Sequence, residues 1–288
     1  MNAVGELPNK LRQIVIARLS SDKLTLPAMP TVAQRCIELL RAEDVRSRDL
    51  VREIERDPVA SAQVLRLANS AALGGSTCST VAQAITRIGV KPLKPLFVQM
   101  STQQVFQSKN RQIAASFKRV WEHSLAVGIL ARDMAALVGS VDQDAAYQAG
   151  LLHDIGKPIL AVMLLELERA QADRARSSWM DGDAWLEIVN TIHRDVAIAL
   201  AKKWNMPDEV QRSVAACGDY DVVDRKSVGN LVRFANAIAK QAGIYAGNVD
   251  ADENQTLIMV GRSLVGVDEE VVERLLADLA TRIQQQMT

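Results

Sequence analysis

The chain has 288 residues, enough for one large or two small domains with a substantial core. Lys plus Arg and Asp plus Glu both number 34, so the formal net charge is zero and no global field draws in nucleic acid or an acidic membrane surface. Cys36, Cys78 and Cys217 stand far apart with no Cys-x-x-Cys pair, which excludes a disulfide frame or a cysteine zinc site and reads as free thiols in a reducing compartment.

The first eight residues, Met1 to Pro8, lack the basic and apolar regions of a signal peptide. Charged residues interrupt every apolar run before it reaches membrane-spanning length. The expected setting is therefore cytoplasmic, with no membrane and no nucleic acid as partner. Two basic clusters exist, one of Lys109, Arg111, Lys118 and Arg119 and another of Arg169, Arg174 and Arg176. Neither carries interleaved aromatic residues for base stacking, so both read as solvated helix surface.

Helical signals follow one another along the chain. Leu11, Ile14, Val15 and Leu19 form an amphipathic stripe that Pro27 and Pro30 end. Asp57-Pro58 is a cap with proline at the first helical position, where the missing N–H costs nothing. Val64, Leu67, Ala68 and Ala71 continue that helix at i, i+3, i+4 and i+7. Asn69 and Ser70 then read as helix-end hydrogen bonders, the alternative being a buried contact between subdomains or part of a ligand site. Thr80 and Gln83 fit a capping box ahead of Ala84, Ile85 and Ile88, and Gly89 suits the left-handed residue after that helix. Pro92 and Pro95 confine the next start. Val127, Leu130, Ala131 and Met134 repeat the helical stripe, as do Val228, Leu231, Val232 and Ala235. The stretch 174–183, with Ser177, Ser178 and Gly182 among charges, reads as a loop. Asp268 caps a last helix with the stripe Val272, Leu275, Leu276, Leu279 and Ile283.

No period-2 segment rich in β-branched and aromatic residues occurs, and aromatic content is only 4%. The expected fold is all-α, built as two packed helical subdomains. The divisions read as an N-terminal helix over 1–23, a first helical subdomain over 24–113, a second over 114–245 and C-terminal helices over 246–288. Trp121 and Trp204 read as packing anchors whose ring N–H groups find partners.

The chain has three histidines, and each falls on an apolar helix face. His123 lies four residues before Val127, His153 follows Ala146 and Gly150 at i+7 and i+3, and His193 sits between Val189 and Val196. A lone histidine on such a face is usually a satisfied core residue. Three together, one of them in the doublet His153-Asp154, suggest a polar cluster in the interior, because imidazole and carboxylate both ligate divalent metals.

Trp121-Glu-His-Ser124 followed by Ala149-Gly-Leu-Leu-His-Asp-Ile-Gly-Lys157 resembles the first two elements of the HD superfamily of metal-dependent phosphohydrolases. Leu65-Arg-Leu-Ala-Asn-Ser-Ala71, Ala84-Ile85 and Ile88-Gly89 upstream, with Ile192-His193, Trp204 and Pro207 downstream, resemble the HDOD family, the HD-related output domain of bacterial signalling proteins. The resemblance covers about Leu24 to Gly218 and implies an N-terminal helical subdomain packed on an HD-like one.

For active HD enzymes the resemblance implies a metal set of a histidine, a His-Asp doublet and a later aspartate. Here His123, His153 and Asp154 match, and Asn236 stands where the last aspartate is expected. An amide oxygen carries no formal charge, so two imidazoles and one carboxylate hold a hard divalent ion poorly. Asp219, Asp221 and Asp224 read as a solvated loop and not as a replacement. Lys157 reads as a charge near a helix C-terminus, while the resemblance implies contact with a substrate phosphate, and His193 is a second candidate ligand-binding residue. The expectation is a non-catalytic regulatory module acting through a signalling protein or a small ligand. No cofactor is expected, although a divalent metal is possible, and a nucleotide is a candidate ligand held at the seam between the two helical halves. The alternative is a metal-dependent phosphohydrolase acting on a nucleotide or cyclic dinucleotide.

Overall fold

The computed structural model of the chain describes residues 13–18, 21, 25–42, 44–70, 76–108, 111–175 and 182–287. Leu11 and Leu19 of the first stripe, Ala71, Lys109 and Arg176 lie outside the described residues, as do the side chains of Arg111, Arg169 and Arg174. Helices are the regular elements of the described residues, without a strand, and the chain divides into two compact units. No helix among them is long and apolar enough to cross a membrane.

One unit comprises residues 28–104. Its helices are α1 (Thr31–Leu40), α2 (Ser47–Ile54), α3 (Pro58–Ala68), α4 (Val81–Ile88) and most of α5 (Leu93–Val105). The Asp57 side chain accepts from the N–H groups of Val59 and Ala60, and Thr80 with Gln83 forms the expected capping box. Gly89 follows α4 at φ 71°, ψ −175°, a positive-φ but extended conformation and not the left-handed helical one expected. The Asn69 amide donates to the Cys78 carbonyl and its oxygen accepts from Cys78 N–H, both within this unit.

The other unit carries α6 (Arg111–Val138), α7 (Gln143–Leu152), α8 (Gly156–Ala175), α9 (Gly182–Lys203), α10 (Asp208–Ala216), α11 (Val228–Gln241), α12 (Ala251–Val265), α13 (Glu269–Ala277) and α14 (Leu279–Met287). Helix α6 is central: residues 123–131 are buried on every side as it packs on α7, α11 and α14. A helix apolar all round belongs in a core, and this puts His123 inside the unit. Helix α14 is pinned to α6 by Arg282, which donates to both Asp133 oxygens at 2.6 and 3.0 Å.

Of the 174–183 stretch, Arg174 and Ala175 belong to α8 and Gly182 and Asp183 to α9, while 176–181, with Ser177 and Ser178, lie outside the described residues. Two expectations about elements need correction. The C-terminal stripe is two helices: Asp278 interrupts it at φ −114°, ψ 2°, as a residue that competes for backbone hydrogen bonds tends to do. Trp204 Nε1 donates to the Pro27 carbonyl, but Trp121 Nε1 is buried without a partner; its ring instead packs against Phe106 at 5.5 Å between centroids.

Candidate functional site

Helix α7 stops at Leu152 and α8 starts at Gly156, so His153 and Asp154 sit in the short turn between two helices. The turn is held by Ile155 N–H to Leu152 O and Lys157 N–H to Asp154 O. A Cβ on Gly156 would lie 1.8 Å from the His193 carbonyl oxygen. The start of α8 therefore rests directly on the backbone of α9 at His193, which brings His193 to the doublet. On the far side, Gly243 (φ 75°) turns the chain after α11 and delivers the Ile244 carbonyl to His123.

All three imidazoles are oriented the same way. His123 Nδ1 donates to Ile244 O at 2.7 Å, His153 Nδ1 to Gly150 O at 2.7 Å and His193 Nδ1 to Val189 O at 3.0 Å. Each ring therefore turns its Nε2 towards Asp154, and in the neutral ring that atom bears a lone pair. Asp154 Oδ2 lies 3.8 Å from His123 Nε2 and 3.4 Å from His153 Nε2, and Oδ1 lies 3.3 Å from His193 Nε2. The Lys157 ammonium donates to Asp154 Oδ2 at 2.6 Å. Lys157 thus belongs to the first turn of α8 and not to a helix C-terminus. The helix dipole disfavours a cation there, and the Asp154 carboxylate offsets it.

Burial pushes His123 down to about 3 and His153 down to about 4, with Asp154 pulling the other way and losing. Burial also works to raise the Asp154 carboxyl, but His153 and Lys157 outweigh it and hold the group well below the ordinary carboxylate range. For Lys157, burial acts downwards and Asp154 overcomes it, leaving the ammonium raised. Burial takes the Cys217 thiol up to about 11, so it offers no thiolate.

These shifts set a pH dependence. The unfolded chain protonates His123 and His153 near 6.5, whereas the folded chain keeps His123 neutral down to about 3 and His153 down to about 4. Between those values the unfolded state binds more protons, so stability is full above pH 6.5 and falls as pH drops towards 4. The loss is up to ~1.4 kcal/mol per histidine per pH unit. Denaturation midpoints should decline over this window, and a His153→Gln variant should show a shallower decline. A flat profile would mean that the imidazoles are not buried as neutral rings.

A cavity of about 250 Å³ opens beside the doublet, and its lining runs from His153 to Tyr245. It therefore lies within one unit and not at a seam between two. Of the residues singled out from sequence, His153, Asp154, Lys157, His193 and Asn236 line it, and His123 stands behind the doublet. Arg194, Arg233, Lys240 and Tyr245 also line it and were not foreseen. Arg233, Asn236 and Lys240 fall at i, i+3 and i+7 on a mostly apolar helix, a polar stripe that could have drawn notice. Asp219 is fully exposed, with its carboxylate 3.9 Å from Arg233, and Asp221 caps its own loop through Val223 and Asp224 N–H, so neither supplies a second carboxylate to the cluster.

The spacing of His123, His153 and Asp154 suits a metal ion, since one ligand atom from each lies within 4.8 Å of the others. The charge does not suit a hard one. The carboxylate oxygen that faces both imidazoles is already bound by an ammonium, and Asn236 adds an amide in place of an anion. As arranged, these residues do not fit a resident divalent cation such as magnesium.

Comparison with known proteins places this geometry. The family model for the HDOD domain matches residues 26–220. The chain belongs to the HDOD family. A structure from Shewanella amazonensis SB2B, provisionally named a metal-dependent phosphohydrolase, superposes with a TM-score of 0.78 at 21% identity, over 97% of this chain and 99% of that one. A Marinobacter aquaeolei VT8 protein, provisionally named for signal transduction, gives 0.62 at 23% identity, over 92% of this chain and 59% of that one. At such identities the likeness is one of fold. A Treponema pallidum protein of uncharacterised function is 27% identical over 200 residues, 65% of this chain. The chain spans only 37% of that relative's length. The expected HDOD assignment and the all-α HD-like fold are thus both found.

Proposed function

We propose that this HDOD chain is a non-catalytic regulatory module of bacterial signal transduction, acting through a partner protein or a small ligand held in the pocket. The observation that carries this reading is the state of Asp154. The one carboxylate lining the pocket is paired with Lys157 at 2.6 Å, and the position expected to bring a second is Asn236. A hydrolytic centre built on a hard divalent ion needs anionic oxygen ligands to hold it and an open position for the attacking water. Here the ammonium stands on the only carboxylate among the described residues that line the pocket. The provisional signalling name of the Marinobacter relative agrees with this reading.

A second reading is a metal-dependent phosphohydrolase. It is favoured by His123 Nε2 and His153 Nε2, both buried without a hydrogen-bond partner, as a borderline metal would use them. Steady-state assays on phosphomonoesters, phosphodiesters and cyclic dinucleotides, with magnesium, manganese or zinc supplied, separate the two. The regulatory reading expects no turnover above that of His153→Ala. Metal-dependent turnover that His153→Ala abolishes would reverse it.

A further inference from the structure

The pocket carries more positive charge than it uses. Lys157, Arg194, Arg233 and Lys240 line it against the single carboxylate of Asp154, in a chain whose overall charge is zero. Lys157 is spent on Asp154. Among the described residues, no carboxylate lies within 4.0 Å of Arg194 or Lys240, and Arg233 reaches only Asp219, at 3.9 Å and fully exposed. The Arg194 and Arg233 Nε atoms are both buried with no acceptor. Lys240 faces the Tyr245 ring at 4.8 Å. An unmet buried donor on a charged group is costly, and three unmatched cations around one cavity repel one another. A bound anion removes both penalties.

We infer that Arg194, Arg233 and Lys240 form a site for a small oxyanion, phosphate or a phosphomonoester with a compact polar body. The planar guanidinium fork matches phosphate geometry, and the flexible ammonium adds charge. The cavity of about 250 Å³ is below the ~300–1,000 Å³ common for drug-sized ligands. The Tyr245 ring is already flanked by Lys157 at 5.2 Å and Lys240 at 4.8 Å, so it is not free to stack on a base. The site thus favours a small phosphate over a cyclic dinucleotide. This deepens the regulatory reading by giving the pocket a ligand class, and it rests on that reading only in treating the ligand as bound and not cleaved.

Isothermal titration of the full chain with inorganic phosphate, glycerol 3-phosphate and a cyclic dinucleotide, at matched ionic strength, tests it. Saturable one-to-one binding of phosphate or glycerol 3-phosphate is expected, with phosphate alone or both defining the ligand's body. Arg233→Gln and Lys240→Met should each weaken it at least ~10-fold, one charge-assisted contact's share. Arg233 also bonds the Gly218 carbonyl, whereas Lys240 makes no such tie, so Lys240→Met is the variant that separates binding from folding. No saturation at ~10 mM, where a millimolar site would fill, overturns the inference. So does tighter binding of the cyclic dinucleotide, or unchanged affinity in Lys240→Met. Release of phosphate from glycerol 3-phosphate would sink the non-catalytic reading while leaving the oxyanion site standing.

Discussion

Gly156→Ala is expected to be among the most damaging single substitutions in this chain. The added methyl would stand 1.8 Å from the His193 carbonyl oxygen, 2.7 Å from its carbon and 2.9 Å from its Cα. These are backbone atoms in the middle of α9, and no side-chain rotation relieves the clash. Either α8 and α9 move apart or the turn carrying His153 and Asp154 is displaced. Overpacking a core costs about 1–3 kcal/mol when side chains can yield, so a backbone clash should cost at least ~3 kcal/mol. At ~2–4 °C per kcal/mol for a chain of this size, thermal denaturation should shift down by roughly 10 °C. Gly139→Ala is the control: at φ 74° with nothing within 4 Å of the new methyl, it meets only conformational strain, about 1–2 kcal/mol. Equal midpoints for the two variants would contradict the close approach of α8 and α9.

Lys157→Met is expected to have a comparable effect by a different route. It keeps the length of the side chain but strips the ammonium from a carboxylate that is almost fully buried. Removing one partner of a buried ion pair typically costs 3–5 kcal/mol, because the remaining charge is left uncompensated. Adding Asp154→Asn to Lys157→Met removes the stranded charge, so the double variant should be more stable than Lys157→Met alone. Urea denaturation of the two singles and the double gives the coupling directly. An additive cycle would mean that the 2.6 Å pair does not hold the site together.

Much of the fold could be read from local signals, because helix caps and apolar periodicity are written within a few residues. Asp57, the Thr80–Gln83 box and Asp268 all cap where their spacing says they should. The buried histidines were legible for the same reason: His123 and His193 lie on the apolar sides of their helices, and His153 stands one residue past the end of α7. The break at His153–Ile155 is marked only by Pro158, in the first turn of α8, and Gly156 acts through contact with another helix, which no local pattern shows. Lys157 was therefore assigned to the wrong helix end. The cationic side of the pocket was hidden too: Arg194, Arg233 and Lys240 look like ordinary surface charges until α9 and α11 are brought to one cavity. Long-range juxtaposition, and not element type, was what the sequence pattern could not supply.

The regulatory reading requires that the cation at Asp154 be Lys157 and not a metal. Titrating chelator-treated protein with manganese, followed by metal analysis after gel filtration, decides between the two. The native chain should retain no stoichiometric manganese. One ion per chain, lost in His153→Ala, would contradict it.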